Sequence, residues 1–260
     1  MATRGVEFAN VSFTLPGGRQ LLHDISLSVP PGATTALLGR SGSGKTTLLR
    51  TVNALLRPTS GRVLVGEDDV AAADPIALRR GIGYVIQETG LFPHMTVGRN
   101  VGMALELAGR SKTEIAERAT EMLRLVDLPE DAGQRYPWQM SGGQRQRVGL
   151  ARALANSPDV LLMDEPFGAL DPLTRAEMQT MLRDLLQKVG TTTLIVTHDL
   201  EEALFLADRI VLIDSGVIAA DLKAEDVRDS SNPAMQAYVA ATHPRGNSAA
   251  TSARHSGGAA

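Results

Sequence analysis

The order of apolar and polar positions along the chain predicts alternating strands and helices. The first 40 residues contain the apolar or alternating stretches VEFANVSFTL, ISLSV and TTALLG, with the turn-forming PGG and PPG between them. KTTLLRTVNALL has helical spacing and ends at RPTSG. The apolar runs DVLLMDEP and TTTLIVTHD alternate with the helical segments DPLTRAEMQTMLRDLLQKVG and LEEALFLAD, and RIVLIDSGVIAA predicts a hairpin. This order predicts an α/β fold with a mainly parallel sheet.

The middle of the chain predicts an insertion of helices into this core. TEIAERATEMLRLVDL places Ile115, Ala119, Met122, Leu123 and Val126 on one helical face, and SGGQRQRVGLARALAN also has the character of a helix. We therefore expect one domain over residues 1–242, with a helical subdomain over about 90–156. Residues 243–260 are rich in Ala, Ser and Gly without an apolar period, which predicts a disordered polar tail.

Composition narrows the class of protein. The 260 residues carry a net charge of −3, which argues against broad nucleic-acid binding, so we expect no nucleic-acid partner. The chain has no cysteine, which excludes disulfides and thiolate metal sites. It has neither the pattern of a signal peptide nor an apolar run of the ~18 to 20 residues that a membrane span requires. We expect a cytoplasmic protein that reaches a membrane by docking on other subunits.

The segment GRSGSGKT matches the P-loop pattern of Gly, four residues, Gly, Lys and Ser or Thr. Its glycines let successive amides point at one anion, and the helix that follows adds its N-terminal dipole. Lys45 is expected to reach the β- and γ-phosphates of ATP, and the Thr46 hydroxyl to bind Mg²⁺. The alternative is a glycine-rich turn before a helix. The predicted nucleotide-binding residues of this segment are Gly39, Arg40, Ser41, Gly42, Ser43, Gly44, Lys45, Thr46 and Thr47.

Two acids follow the apolar run VLLM. A buried strand delivers its last side chains to the rim of the sheet, where nucleotides bind in α/β folds. Asp164 is therefore expected to hold Mg²⁺, and Glu165 to polarise an attacking water. The alternative is a strand that ends in solvated acids.

The segment QMSGGQRQRVGLARAL resembles the signature of ABC-transporter ATPases, with Met140 at the first position of the LSGGQ motif. Further matching residues stand in the family's order: Phe13 as the adenine-stacking aromatic, Gln87 in the Q-loop, Asp171 in the D-loop GALD and His198 as the switch histidine. The resemblance covers roughly residues 5–225. It implies a P-loop NTPase core with a mainly parallel sheet, an antiparallel β subdomain and an inserted α-helical subdomain.

The resemblance also implies roles for these residues. Ser141, Gly142, Gly143 and Gln144 would contact ATP on a second copy, so that a head-to-tail dimer buries two ATP molecules. His198 would contact the γ-phosphate, and Gln87 would sense Mg²⁺ or the attacking water. The catalytic group is then Glu165, His198, Gln87 and Lys45, and the metal group is Thr46, Gln87 and Asp164. The alternatives are an ordinary capping serine, a surface histidine, a polar glutamine at a strand end and a Phe13 that packs in the core.

A single ATPase unit without a membrane span is typical of the separate subunit of a bacterial importer. We expect integral membrane permease subunits as partners, a substrate-binding protein as an indirect partner, and a peripheral position on the inner face of the cell membrane. LFPHMTVGRNV predicts either a hydrophobic surface for a permease helix or core packing. IGYVIQETGLFPHMT and LLMDEPFGALDPLTR resemble the ATPases of osmoprotectant importers, which carry glycine betaine, choline or carnitine. The alternatives are an amino-acid or metal importer, or a soluble ABC ATPase of cofactor assembly.

Overall fold

The computed structural model describes residues 3–87, 89–168 and 170–242. The strands are β1 Val6–Thr14, β2 Gln20–Val29, β3 Thr34–Leu38, β4 Ser60–Val65, β5 Asp68–Asp69, β6 Ile82–Val85, β7 Val160–Asp164, β8 Thr192–Thr197, β9 Arg209–Asp214 and β10 Val217–Lys223. The helices are α1 Lys45–Val52, α2 Pro75–Arg80, α3 Val97–Leu107, α4 Lys112–Leu125, α5 Gly142–Leu154, α6 Pro172–Val189, α7 Leu200–Leu206 and α8 Pro233–Thr242.

The larger sheet has the strand order β10-β9-β3-β8-β7-β6. Strands β9, β3, β8, β7 and β6 pair in parallel, and the hairpin partner β10 joins β9 antiparallel. Every residue of β3, β7 and β8 is buried, because helices cover both faces of a parallel sheet. The predicted α/β fold with a mainly parallel sheet is confirmed.

A second sheet contains the N-terminal strands in the order β2-β1-β4-β5, and its pairs are antiparallel. Val6, Phe8 and Val11 of β1 are buried, and they form one core with Leu48 and Leu49 of α1. The antiparallel β subdomain that the family resemblance implied is therefore present. Through α1, this sheet packs against the segment that the sequence marks for nucleotide binding.

Helices α3, α4 and α5 pack on one another and form the inserted helical layer. Helix α4 begins with a capping box, in which Ser111 and Glu114 satisfy each other's backbone amides. Of the predicted apolar face, Ala119, Met122, Leu123 and Val126 are buried and Ile115 is half-buried. The limits of the subdomain near residues 90 and 156 enclose these helices and stay a prediction.

Helices α2 and α8 were not predicted from the sequence. Each follows a capping side chain and then a proline: Asp74 accepts from two amides of α2, and Asn232 accepts from the Met235 amide of α8. Within the described ranges, no helix has the length and apolar content needed to cross a membrane. The predicted polar tail, residues 243–260, lies outside the described residues.

Candidate nucleotide-binding site

The loop between β3 and α1 has a backbone that only glycine accommodates at two positions. A Cβ atom on Gly39 would overlap the carbonyl oxygen of Ile213 in β9. Gly44 has a φ of +105°, and a Cβ atom there would lie 2.7 Å from Leu22 Cδ2 in β2. The glycines therefore allow the loop to lie directly against both sheets.

This loop presents hydrogen-bond donors that the chain itself leaves unused. Helix α1 has no side-chain cap at its N-terminus, and the buried hydroxyl of Ser43 has no partner among the described residues. Lys45 is buried, and its Nζ donates to Gly39 O at 2.8 Å and to Arg40 O at 2.9 Å, which leaves one N–H free. These donors fit the phosphate oxygens of a nucleotide.

Burial and two nearby carboxylates shift the pKa of Lys45 in opposite directions. Burial lowers the pKa of Lys45 below its ordinary value, and Glu165 and Asp164 act in the opposite direction. The remaining predicted loop residues surround this lysine: Arg40, Ser41 and Gly42 are exposed, and Thr47 is half-buried.

Thr46 and Asp164 meet at the start of α1. The Thr46 hydroxyl donates to Asp164 Oδ1 at 2.7 Å, and Asp164 is only 4% exposed. In the described part of the chain, no three His, Asp or Glu side chains form a metal site by themselves. One carboxylate and one hydroxyl fit Mg²⁺, because this ion commonly takes its other ligands from phosphate and water.

Sequence reasoning missed two further partners of Asp164. Its Oδ2 atom lies 3.3 Å from the Tyr84 hydroxyl and 3.4 Å from Arg50 Nη2. Burial raises the pKa of Tyr84, and the hydrogen bond to Tyr84 raises the pKa of Arg50. Neither residue belongs to a motif: Tyr84 reaches Asp164 because β6 lies beside β7, and Arg50 lies on α1, four residues after Thr46.

Glu165, His198 and Gln87 lie around one space beyond the strand ends. Glu165 has a φ of +46°, which is uncommon for a residue other than glycine, and its amide donates to Val196 O at 3.0 Å. His198 Nδ1 lies 3.5 Å from Glu165 Oε2. A Cβ atom placed on Gly168 would lie 3.8 Å from both Gln87 Nε2 and Glu165 Oε2. Glu165 therefore lies beside His198, and both Glu165 and Gln87 lie near Gly168.

Phe13 lies on β1, where it pairs with Leu22 of β2. It is half-buried and packs against the core of the smaller sheet. Because Leu22 reaches Gly44, Phe13 lies one strand away from the phosphate loop. Its role in stacking on adenine stays a prediction.

The second predicted nucleotide segment forms the start of α5. Ser141 Oγ accepts from the Gln144 amide at 3.2 Å, and Gln144 Oε1 accepts from the Ser141 amide at 3.0 Å. Gly143 is buried, because a Cβ atom there would lie 2.5 Å from Thr174 Cγ2 at the start of α6. Asp171 caps α6 by accepting from the Thr174 amide at 3.1 Å. Hydrogen bonding with the Thr174 side chain, and then with its amide, lowers the pKa of Asp171.

The two segments are separate within one chain. Among the described residues, no side-chain hydrogen bond or ion pair joins residues 39–47 to residues 141–144. Ser141 and Gly142 are exposed, and Gln144 is half-buried. The structure thus brings together the loop, Asp164, Glu165, His198 and Gln87, and leaves Ser141, Gly142, Gly143, Gln144 and Asp171 outside that group.

A buried carboxyl that the motifs do not mark lies on α7, four residues after His198. Glu202 is 6% exposed, and its Oε1 atom has no hydrogen-bond partner among the described residues. Burial is the main cause that raises the pKa of Glu202 to about 8; Asp199 and Glu165 add to it, while the Thr197 hydroxyl and Arg175 oppose it.

A glycine loop that joins a buried parallel strand to a helix, opposite an acidic strand end, defines a P-loop nucleotide-binding protein. The model of the ABC transporter family matches residues 22–168, more than half of the chain. This chain belongs to the ABC transporter family.

Its relatives include ATP-binding proteins of several import systems. The carnitine transport ATP-binding protein OpuCA of Listeria monocytogenes is 43% identical over 90% of this chain and 59% of the relative. The sulfate/thiosulfate import ATP-binding protein CysA of Mesorhizobium japonicum is 50% identical over 81% of this chain and 61% of the relative. The chain thus spans about three fifths of the length of these curated relatives.

A solved structure supports the same assignment. The ATP-binding cassette MJ0796, in a dimeric post-hydrolysis state with ADP and Pi, matches with a TM-score of 0.76 and 34% identity. The match covers 84% of this chain and 98% of that chain. The predicted fold class, an ABC ATPase cassette, is confirmed.

The raised pKa of Glu202 generates a prediction about stability. Because the folded state holds this proton more tightly, the residue should make the free energy of unfolding fall as pH rises from about 4.5 to about 8. Glu202→Gln should remove this fall, so its stability relative to the wild type should be higher at pH 9 than at pH 6. Urea unfolding at both pH values measures this difference. Glu117→Gln, an exposed change on α4, is the control. Equal differences at both pH values for Glu202→Gln would contradict the assignment.

Proposed function

We propose that this chain hydrolyses ATP to drive import of a quaternary amine through a separate permease. The observation that carries the proposal is the arrangement at the ends of β3, β7 and β8. There, Lys45, the Thr46–Asp164 pair and the Glu165–His198 pair lie around the glycine loop that precedes α1.

The loop is suited to bind the phosphates. Lys45 and the amides of residues 39–46 hold anionic oxygens, and the Ser43 hydroxyl is free to donate to one of them. Thr46 and Asp164 hold Mg²⁺, which when bound neutralises charge on the phosphate oxygens. Tyr84 and Arg50 keep the Asp164 carboxylate in place from its other side.

Glu165 is the proposed base. Its carboxylate accepts the proton of a water positioned for attack on the γ-phosphate. His198 lies beside that carboxylate and is exposed enough to contact the same phosphate, and Gln87 borders the same space. The protein has little covalent chemistry to carry out in phosphoryl transfer. Positioning of the reacting groups and stabilisation of their charge therefore supply most of the rate enhancement.

A second copy of the chain completes the site in this proposal. The Ser141 segment has the donors of a helix N-terminus but no lysine, and it lies apart from the P-loop of its own chain. Two chains arranged head to tail would bring the Ser141 segment of each against the nucleotide on the other. The similar solved cassette, which is dimeric and bound to ADP and Pi, supports a dimer of this chain.

The permease contact is proposed at residues 91–95. Phe92 is 40% exposed and Pro93 is exposed, whereas Leu91 packs against the helical core. The buried Asn100 fixes this segment, because its side chain accepts from the Phe92 amide at 2.7 Å and donates to the Phe92 carbonyl at 3.1 Å. A rigid exposed aromatic beside α3 suits docking of a permease helix at the inner face of the membrane.

The transported solute has two candidates. The carnitine relative and the osmoprotectant-like motifs favour a quaternary amine. The sulfate/thiosulfate relative, with its higher identity, favours an oxyanion as the second candidate. Contacts to the solute lie in other subunits, so uptake has to be measured to distinguish them.

One prediction of this proposal concerns Glu165 as the base. Glu165→Gln should retain ATP binding and lose turnover by about 10²- to 10⁴-fold, because the amide cannot accept the proton of the attacking water. Phosphate release and binding of a fluorescent ATP analogue, measured on the same preparation, test this expectation. Glu117→Gln should hydrolyse ATP at the wild-type rate.

Two outcomes would contradict different parts of the proposal, namely the assignment of the base and the ATPase activity itself. Wild-type turnover by Glu165→Gln would remove this residue as the base. Absence of ATP hydrolysis by the wild-type chain, alone and with its permease, would remove the proposed activity.

Another prediction of this proposal concerns the transported solute. A strain without this chain should lose uptake of radiolabelled glycine betaine, choline or carnitine at high osmolarity and keep uptake of radiolabelled sulfate. Restoring the wild-type chain, but not Glu165→Gln, should restore uptake. Loss of sulfate uptake with normal amine uptake would favour the second candidate instead.

A further inference from the structure

The last described helix, α8, is fixed in its rotation. Asn232 Oδ1 accepts from the Met235 amide at 3.0 Å, and Asn232 Nδ2 donates to Ala219 O of β10 at 3.1 Å. The first helical residue is Pro233, whose φ suits this position. Met235 is fully buried. The cap and the buried methionine together determine which face of α8 points at the core.

Tyr238 lies on that inner face, three residues after Met235. Its ring is half-buried and packs with the cluster that contains Leu200 and Ala203 of α7. Its hydroxyl donates to the carbonyl oxygen of His198 at 2.7 Å. An element that none of the nucleotide motifs includes thus contacts the backbone of a predicted catalytic residue.

The His198 carbonyl depends on this contact. It follows the end of β8 at Thr197 and precedes α7, which begins at Leu200, so neither the sheet nor the helix supplies it with a donor. Tyr238 is its hydrogen-bond donor among the described residues. The N–H of the same peptide is held on its other side, since the Asp199 amide donates to the Thr197 hydroxyl at 3.0 Å. The Asp199 carboxylate accepts from the amides of Glu201 and Glu202 at the start of α7.

The imidazole of His198 depends on its backbone for its position. Its side chain is 62% exposed, and the nearest charged atom is Glu165 Oε2 at 3.5 Å from Nδ1. An exposed side chain with one long contact is not held in place by packing. A displacement of the His198 backbone would therefore move the ring relative to Glu165.

We propose that Tyr238 is a positioning residue, which holds the His198 peptide so that the imidazole faces Glu165. The catalytic consequence rests on the proposed ATP hydrolysis, whereas the effect on the turn does not.

The Tyr238 hydroxyl remains available as a donor. Burial raises the pKa of Tyr238, Asp199 acts in the same direction, and Arg40 opposes them. The phenol therefore stays protonated at neutral pH.

The variant Tyr238→Phe tests this role, because it removes the hydroxyl and keeps the packed ring. We expect ATP turnover, kcat, to fall roughly three- to tenfold, the range that one neutral hydrogen bond supplies, with unchanged affinity for ATP. Hydrogen–deuterium exchange of the nucleotide-free protein should show faster exchange in peptides that cover residues 198–202 and unchanged exchange in β3. The matched control is Thr242→Val, which removes a hydroxyl whose partners among the described residues are two backbone carbonyls of α8.

The outcomes separate this inference from the proposed function. A wild-type kcat in Tyr238→Phe overturns the inference. A loss of kcat also overturns it if ATP binding weakens equally, or if hydrogen–deuterium exchange becomes faster throughout the chain. If the wild-type chain does not hydrolyse ATP, the proposed function fails, and the exchange of residues 198–202 alone decides whether Tyr238 holds the turn.

Discussion

The candidate site depends on the parallel pairing of three buried strands. Strand β8 pairs with β3 on one side and β7 on the other, so Leu38, Asp164 and Thr197 end at the same edge of the sheet. Because all three strands are buried on both faces, a shift in register would expose apolar side chains and displace the residues that follow. The phosphate loop, Glu165 and His198 lie close together because of this strand pairing, and not because of the conformational preferences of each segment.

The same strand ends connect the site to the segment that is proposed to serve a second chain. After β7 and Glu165, the chain reaches Asp171, which caps α6, and Thr174 of that helix contacts Gly143. On the other side, Tyr238 of α8 contacts the His198 backbone. The strand ends are therefore connected through packed side chains to both α5 and α8.

The elements with strong local signals were predictable from the sequence. Helix α6 begins at Pro172 and ends before Gly190, as those residues predict, and α5 begins directly after Ser141. The short helices α2 and α8 were missed, although Asp-Pro and Asn-Pro at their starts are capping signals. Local pattern has no information on contacts across the fold: the Tyr84 contact with Asp164 and the Tyr238 contact with the His198 carbonyl each join elements that are distant in the chain.

The most direct test of the central claim is a crosslink between two chains, since the natural sequence has no cysteine to interfere. One copy would carry Ser41→Cys and the other Gly142→Cys, both at exposed positions and both in the Glu165→Gln background. With ATP and Mg²⁺, a short bis-maleimide should join the two copies in high yield, and without nucleotide the yield should be low. Equal, low yields with and without ATP would contradict a nucleotide site shared head to tail between two chains.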